Sequence, residues 1–152
     1  MSNIKTNVSL LLLRLSLGGV FVYHGSQKLF GAFGGPGLEG FAGYLTQLGI
    51  PFASLNAALA ASAEFFGGLA LLLGLFVPLM SIPLVFTMLV ASFTAHQGFN
   101  IQTGGNEYTL ILAVATTVTG LMGAGDWSIQ NLFSHTASAA SEPRQPSTLA
   151  HS

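Results

Sequence analysis

The sequence predicts an all-α polytopic membrane protein: a four-helix transmembrane bundle with a short interfacial helix in its first loop. Three observations lead there. Only 6% of the 152 residues are charged, against roughly 25% in an ordinary soluble domain. Hydrophobic residues make up 51% and the mean hydropathy is +0.65. A soluble domain keeps most of its Lys, Arg, Asp and Glu at the surface, and four basic and five acidic residues cannot cover one. The third observation is the spacing of four apolar runs, each near the roughly 20 residues that a bilayer-spanning helix needs.

The first span is expected at residues 8–30, interrupted by Arg14, His24 and Lys28. Lys5 gives it a basic start, as in a signal peptide. Arg14 inside the apolar stretch and the lack of an A-x-A-like site argue for a retained span. The loop that follows puts Phe41, Leu45 and Leu48 at helical spacing, with Gly49 and Pro51 as stops. This predicts an amphipathic helix over 38–48, at the interface or capping the bundle.

The second span is expected at 55–77, with Glu64 its only charge, and the third at 79–97, with Pro83 in its first turn, where proline is tolerated. A tight turn at Val77–Pro78 would join them. The fourth is expected at 107–124, after the polar, glycine-rich loop 98–106. Together, residues 1–133 form one transmembrane domain. From Ser134 to Ser152 the chain is rich in Ser, Ala, Pro and Thr without periodicity, which predicts a disordered tail.

Four spans place both termini on one side. Lys5, Arg14 and Arg144 favour that side as cytoplasmic, and Lys28 opposes it. Other functions are excluded by composition. Four basic residues and a net charge of −1 leave no basic surface for nucleic acid. With no cysteine there is no disulfide, zinc–thiolate site or iron–sulfur cluster within the chain.

Small residues line two spans: Ala57, Ala60, Ala61, Gly67, Gly68 and Gly74 on the second, and Thr109, Ala113, Thr116, Gly120 and Gly123 on the fourth. They are read as helix packing, because small side chains let backbones approach. Arg14 either snorkels to the headgroups or forms a structural ion pair inside the bundle.

Glu64 stands out. A carboxylate near mid-membrane costs roughly 2.5 to 3.5 kcal/mol on insertion scales, and intramembrane ionisable residues are functional by default. Counting 1.5 Å per residue from Phe30 and Leu55 puts His24 about 9 Å deep, Glu64 about 13 Å and Arg14 about 24 Å. His24 and Lys28, one turn apart on one face, are therefore its expected partners. His96 ends the third span and Glu107 opens the fourth, where Asn106 suits an N-cap and Glu107 the positive helix end.

Alternating topology brings His24, Lys28, Glu64, His96 and Glu107 to the outer half of the bundle. They are expected to form a polar ligand or proton site under the interfacial helix, with Phe21, Tyr23, Phe65, Phe66 and Phe93 as candidate walls. Such a group could bind a quinone head, pass protons or ligate a metal. No H-x-x-E or E-x-x-H spacing supports a metal, and two transmembrane histidines alone do not argue for haem. No cofactor is assigned beyond a candidate quinone.

In order and spacing, these residues resemble the DoxX family of small four-helix bacterial membrane proteins. The matching pieces are Arg14-x3-Gly18, His24-Gly25-x2-Lys28, Glu64-x2-Gly67-Gly68, His96, Glu107, and Gly123-x-Gly125-x-Trp127-Ser128-Ile129. They extend over about residues 8–133. The family's closing motif often has Asp where this chain has Gln130. The resemblance implies a multi-pass protein of the bacterial inner membrane, and a subunit or accessory of a quinone-linked redox system. Partners would be the bilayer, a membrane redox protein that carries the electrons, and further copies of the chain. The alternatives are a small proton-coupled transporter and a purely structural membrane module.

Overall fold

Asn3 opens the first helix, α1 (Ile4–Phe30), by accepting the Lys5 N–H on its side chain at 3.0 Å, the usual way to satisfy an orphan donor. Gly31 closes it in the left-handed region (φ 67°) that glycine enters without steric cost. In this computed structural model, residues 3–96 and 98–133 are described; the tail expected at 134–152 lies outside the described residues. After a 3-10 turn (Ala32–Gly34) come α2 (Gly37–Gln47), α3 (Ala53–Leu73), α4 (Val77–Thr94), a second 3-10 turn (Ile101–Thr103) and α5 (Glu107–Met122). Among the described residues there is no strand.

The helix ends differ from the ends of the apolar runs, most of all between α3 and α4. The turn lies at Gly74–Phe76 rather than Val77–Pro78. Gly74 caps α3 at φ 68°, and Phe76, left-handed at φ 47°, is the N-cap of α4. Leu75 and Phe76 are as apolar as the helices they join, so hydropathy runs through the turn unbroken. Val77–Pro78 instead forms the first turn of α4, where a missing N–H costs nothing. Pro83 therefore falls in the interior of α4. Phe76 has no capping oxygen of its own, and Gln130 supplies one: its Oε1 accepts the Phe76 N–H at 2.9 Å.

α1 packs chiefly on α3, α4 chiefly on α5, and α3 joins the two pairs through α4. Both pairs are antiparallel: Gly18 faces Leu72 while Gly25 faces Phe65, and Ser81 faces Gly120 while Ser92 bonds Thr109. The outer surface is apolar and large, with Leu12, Phe66, Ile82, Phe86 and Leu121 exposed. The interior mixes an apolar core of Leu17, Phe21, Leu71, Leu84 and Met88 with small and polar side chains, Ala57, Ala61, Ser81, Ser92, Thr116 and Thr119. The small and polar part suits a bundle solvated by lipid, where close backbone approach and interhelical hydrogen bonds help hold helices together. α1, α3 and α4 are long and apolar enough to cross a membrane; α5 is a shorter apolar helix of 16 residues.

The α1–α3 seam is the tightest. A Cβ on Gly25 would stand 2.5 Å from the Phe65 nitrogen, and one on Gly68 would stand 2.8 Å from the Val22 nitrogen. Backbone cannot yield as a side-chain tip can. Gly25→Ala is therefore expected to destabilise the protein by about 1–3 kcal/mol through overpacking. Gly19→Ala, with nothing within 4 Å of the added carbon, should be near neutral. Thermal unfolding in detergent compares the two, and equal stability of both variants would contradict the close seam.

Candidate functional site

Glu64 is 1% exposed on the face of α3 that meets α1. Antiparallel packing brings Lys28, in the last turn of α1, level with it. Lys28 Nζ lies 2.6 and 2.7 Å from the two carboxylate oxygens, so one ammonium spans both. Its side chain is 25% exposed, and it also sits 5.0 Å from the centre of the Phe41 ring, contributed by α2. The geometry is that of a charge-assisted pair with a cation–π contact on its open side.

His24 lies one turn before Lys28, its ring edge-on to Tyr23 at 5.3 Å, with no hydrogen bond to Glu64. At the end of α4, His96 Nδ1 donates to the Gly104 carbonyl at 3.2 Å. A neutral ring so held presents Nε2 as an acceptor. His24, Lys28, Glu64 and His96 all line one cavity of about 1000 Å³, to which all five helices contribute. Its walls are overwhelmingly apolar.

Glu107 does not join them. Its Oε1 accepts the Ile101 N–H at 2.8 Å and closes the loop before α5. The loop curls back over the helix start, its backbone also bonding Glu107 N–H to the Phe99 carbonyl, and so turns the carboxylate away from the cavity. Asn106 sits at the N-cap, but its side chain donates to the Ser92 carbonyl at 3.3 Å, tying α5 to α4.

Of the expected aromatic walls only Phe21 lines the cavity; Tyr23, Phe66 and Phe93 are exposed and Phe65 meets Phe30 and Phe66 edge to face. The walls are instead Phe41, Tyr44, Phe86 and Tyr108. Helical phase shows why. Ala60 and Ala63 stand about 40° and 100° from Glu64 on one side of α3, whereas Phe65 stands about 100° to the other side and Phe66 about 160° away.

Arg14 is 2% exposed and belongs to the other end of the bundle. The ion pair expected of it is replaced by backbone carbonyls. Nε donates to Leu71 at 3.0 Å, one terminal nitrogen to Trp127 at 3.0 Å and to Ala124, and the other to Leu72 at 3.5 Å. α3 ends there, and the last carbonyls of a helix have no intrahelical donor and carry partial negative charge. The planar five-donor guanidinium meets these and the turn after α5 together. Asn7 pins the same turn, its amide donating to Asp126 Oδ2 at 3.1 Å and its oxygen accepting the Asp126 N–H at 3.2 Å.

Long apolar helices with lipid-facing side chains outside and a buried ion pair inside define an integral membrane protein of the helical-bundle class. The family follows from comparison: the DoxX family model matches residues 9–97, more than half of the chain, and the chain belongs to the DoxX family. No curated protein and no solved structure matches it. The matched stretch holds Arg14, His24, Lys28, Glu64 and His96, while Glu107 and the 123–129 turn lie beyond it.

Removing one partner of a buried pair strands the other. Lys28→Ala should cost about 3 kcal/mol, at the low end of the range for such pairs because the ammonium is partly exposed. Adding Glu64→Gln should restore at least about 1 kcal/mol of that loss, since the stranded charge goes with it. Thermal unfolding in detergent of the two single variants and the double variant measures this. Strict additivity would mean that the two side chains are not coupled.

Proposed function

We propose that this protein is the membrane subunit of a quinone-linked redox system, with the quinone head held in the cavity at His24, Lys28, Glu64 and His96. In this reading the chain spans the bacterial inner membrane four times. α5 is the fourth span, α2 lies in the interface, both termini are cytoplasmic and the cavity is in the extracytoplasmic half. One observation carries the proposal: a roughly 1000 Å³, mostly apolar cavity is lined by one ion pair, Lys28–Glu64, and by two histidines, His24 and His96. Ligand sites are mostly apolar with a few placed polar groups that fix orientation. A quinone offers a flat apolar ring and two carbonyl acceptors, and the imidazole of His24 and the third Lys28 N–H are donors at hand. The side chains include no thiol, so the two electrons of quinone reduction come from a partner protein, and the two protons pass by way of Glu64 and His24.

A short-chain soluble quinone should shift the imidazole nitrogen resonances of His24 and His96 and leave those of His135 and His151 in place. Glu64→Gln should still insert and fold but weaken binding at least tenfold, for which about 1.4 kcal/mol suffices. If saturating quinone moves neither His24 nor His96, the quinone reading is wrong. Proton flux through the protein in vesicles without any quinone would favour the transporter alternative.

The orientation has its own check. Reporter domains fused after Gly34 and after Phe133 should report opposite sides of the membrane, with the Phe133 fusion cytoplasmic. The same side for both removes the four-span topology.

A further inference from the structure

The cavity has a closed side and an open one. Phe21, Met88 and Leu112, from α1, α4 and α5, are buried and form its floor. Leu59 of α3 and Phe86 and Val90 of α4 line the same cavity yet are 59%, 68% and 39% exposed. A side chain that touches both a cavity and the outer surface marks an opening.

The helix courses explain where it lies. Near their shared turn α3 and α4 are in contact, and a Cβ on Gly67 would stand 2.9 Å from Leu84. Towards the other end Ala60 and Ala63 of α3, and Thr87 and Ala91 of α4, face the cavity. The opening is thus a slot between two apolar helices of spanning length. Its rim is apolar along the helices, and Tyr44 and Tyr108, both partly exposed, stand towards the end where α2 lies. Tyrosine, apolar in body and polar at its tip, suits the level where bilayer meets water.

The charge inside limits what can fill it. Among the described residues, Lys28 and Glu64 are the only Asp, Glu, Lys or Arg that line the cavity, and they neutralise each other. An ionised head would enter without a counter-charge, at the high cost of burying an unpaired ion. The other polar groups on the wall are imidazole, hydroxyl and amide.

We infer that the cavity is loaded sideways from the bilayer, through the α3–α4 slot, by a single-chain amphiphile with an uncharged, hydrogen-bonding head. The head reaches His24 and the ion pair while the chain leaves between Leu59 and Phe86 into lipid. The inference deepens the quinone reading and rests on it only for where the head sits; a quinone is one member of the class.

The test uses the whole chain in lipid nanodiscs. Trp127, the only tryptophan, is replaced by Phe, and an indole is introduced at the rim by Phe86→Trp or, for control, on lipid-exposed α5 by Leu121→Trp. The probe is a long-chain alkanol brominated along its chain, which quenches indole on contact. Quenching at position 86 should saturate and be reversed by unbrominated alkanol, while quenching at position 121 should rise only linearly with membrane loading. Val90→Trp serves as a second rim reporter if Phe86→Trp does not fold. Linear quenching at both rim positions overturns the slot, even where quinone shifts the histidine resonances. Equal saturation by a brominated carboxylate or quaternary ammonium amphiphile overturns the requirement for an uncharged head. Saturable alkanol binding that no quinone displaces removes the quinone reading and leaves the slot standing.

Discussion

The ion pair between Lys28 and Glu64 constrains everything around it. A carboxylate that is 1% exposed inside an apolar bundle is tolerable only with a cation at contact distance. That requires α1 and α3 to lie close along their whole seam. Closeness in turn requires Gly25 opposite the Phe65 backbone and Gly68 opposite the backbone of Val22. The glycines and the charges are therefore one arrangement: the former set the distance at which the latter can meet. α2 completes it by placing Phe41 over the ammonium, which gives a short helix with no buried residue of its own a reason to stay docked.

The opposite end solves a similar problem differently. Arg14 is as buried as Glu64, yet among the described residues it pairs with no carboxylate. The carbonyls of Leu71 and Leu72, in the last turn of α3, and those of Ala124 and Trp127, in the turn after α5, take its donors. One side chain thus closes a helix end and fastens the last turn to the first helix. A lysine could place a charge there but not a planar fork across carbonyls from two segments. The Gly-x-Gly-x-Trp-Ser-Ile segment then has a plain structural role: its positive-φ glycines at 123 and 125 turn the chain so that its carbonyls face Arg14.

Much of this was legible in sequence, for reasons that differ by feature. Depth alone pointed to His24 as the partner of Glu64; Lys28 entered through the i, i+4 face it shares with His24, and its longer side chain is the one that reaches the carboxylate. The short helix in the first loop was visible from Phe41, Leu45 and the stops after them. A tight turn between α3 and α4 was legible but its position was not, because Leu75 and Phe76 are apolar and Phe76 adopts a conformation uncommon outside glycine. Glu107 was grouped with the cavity residues because height along the bundle was right, but height does not set direction, and the loop N–H of Ile101 holds it aside. Phe66 failed as a wall for the same reason. Phase around α3 would have pointed to Ala60 and Ala63.

α3 shows how one helix serves several neighbours at once, and why its composition looks as it does. Towards α1 it presents Ala57, Ala61, Glu64 and Gly68; towards α4, Gly67; towards the cavity, Ala60 and Ala63; towards the outside, Leu59 and Phe66. Between Ala57 and Gly68 the large apolar side chains stand mostly outside, apart from Phe65 against Gly25; further on, Leu71 is fully buried and Leu72 meets Gly18. Where backbone or cavity lies alongside, the helix is thin, and its bulk goes where lipid accepts it. The stripe of small residues is thus what remains when contact on one side and open space on another exclude everything larger. Glu64 is the exception on that surface, and it is tolerated because it stands where the stripe faces Lys28.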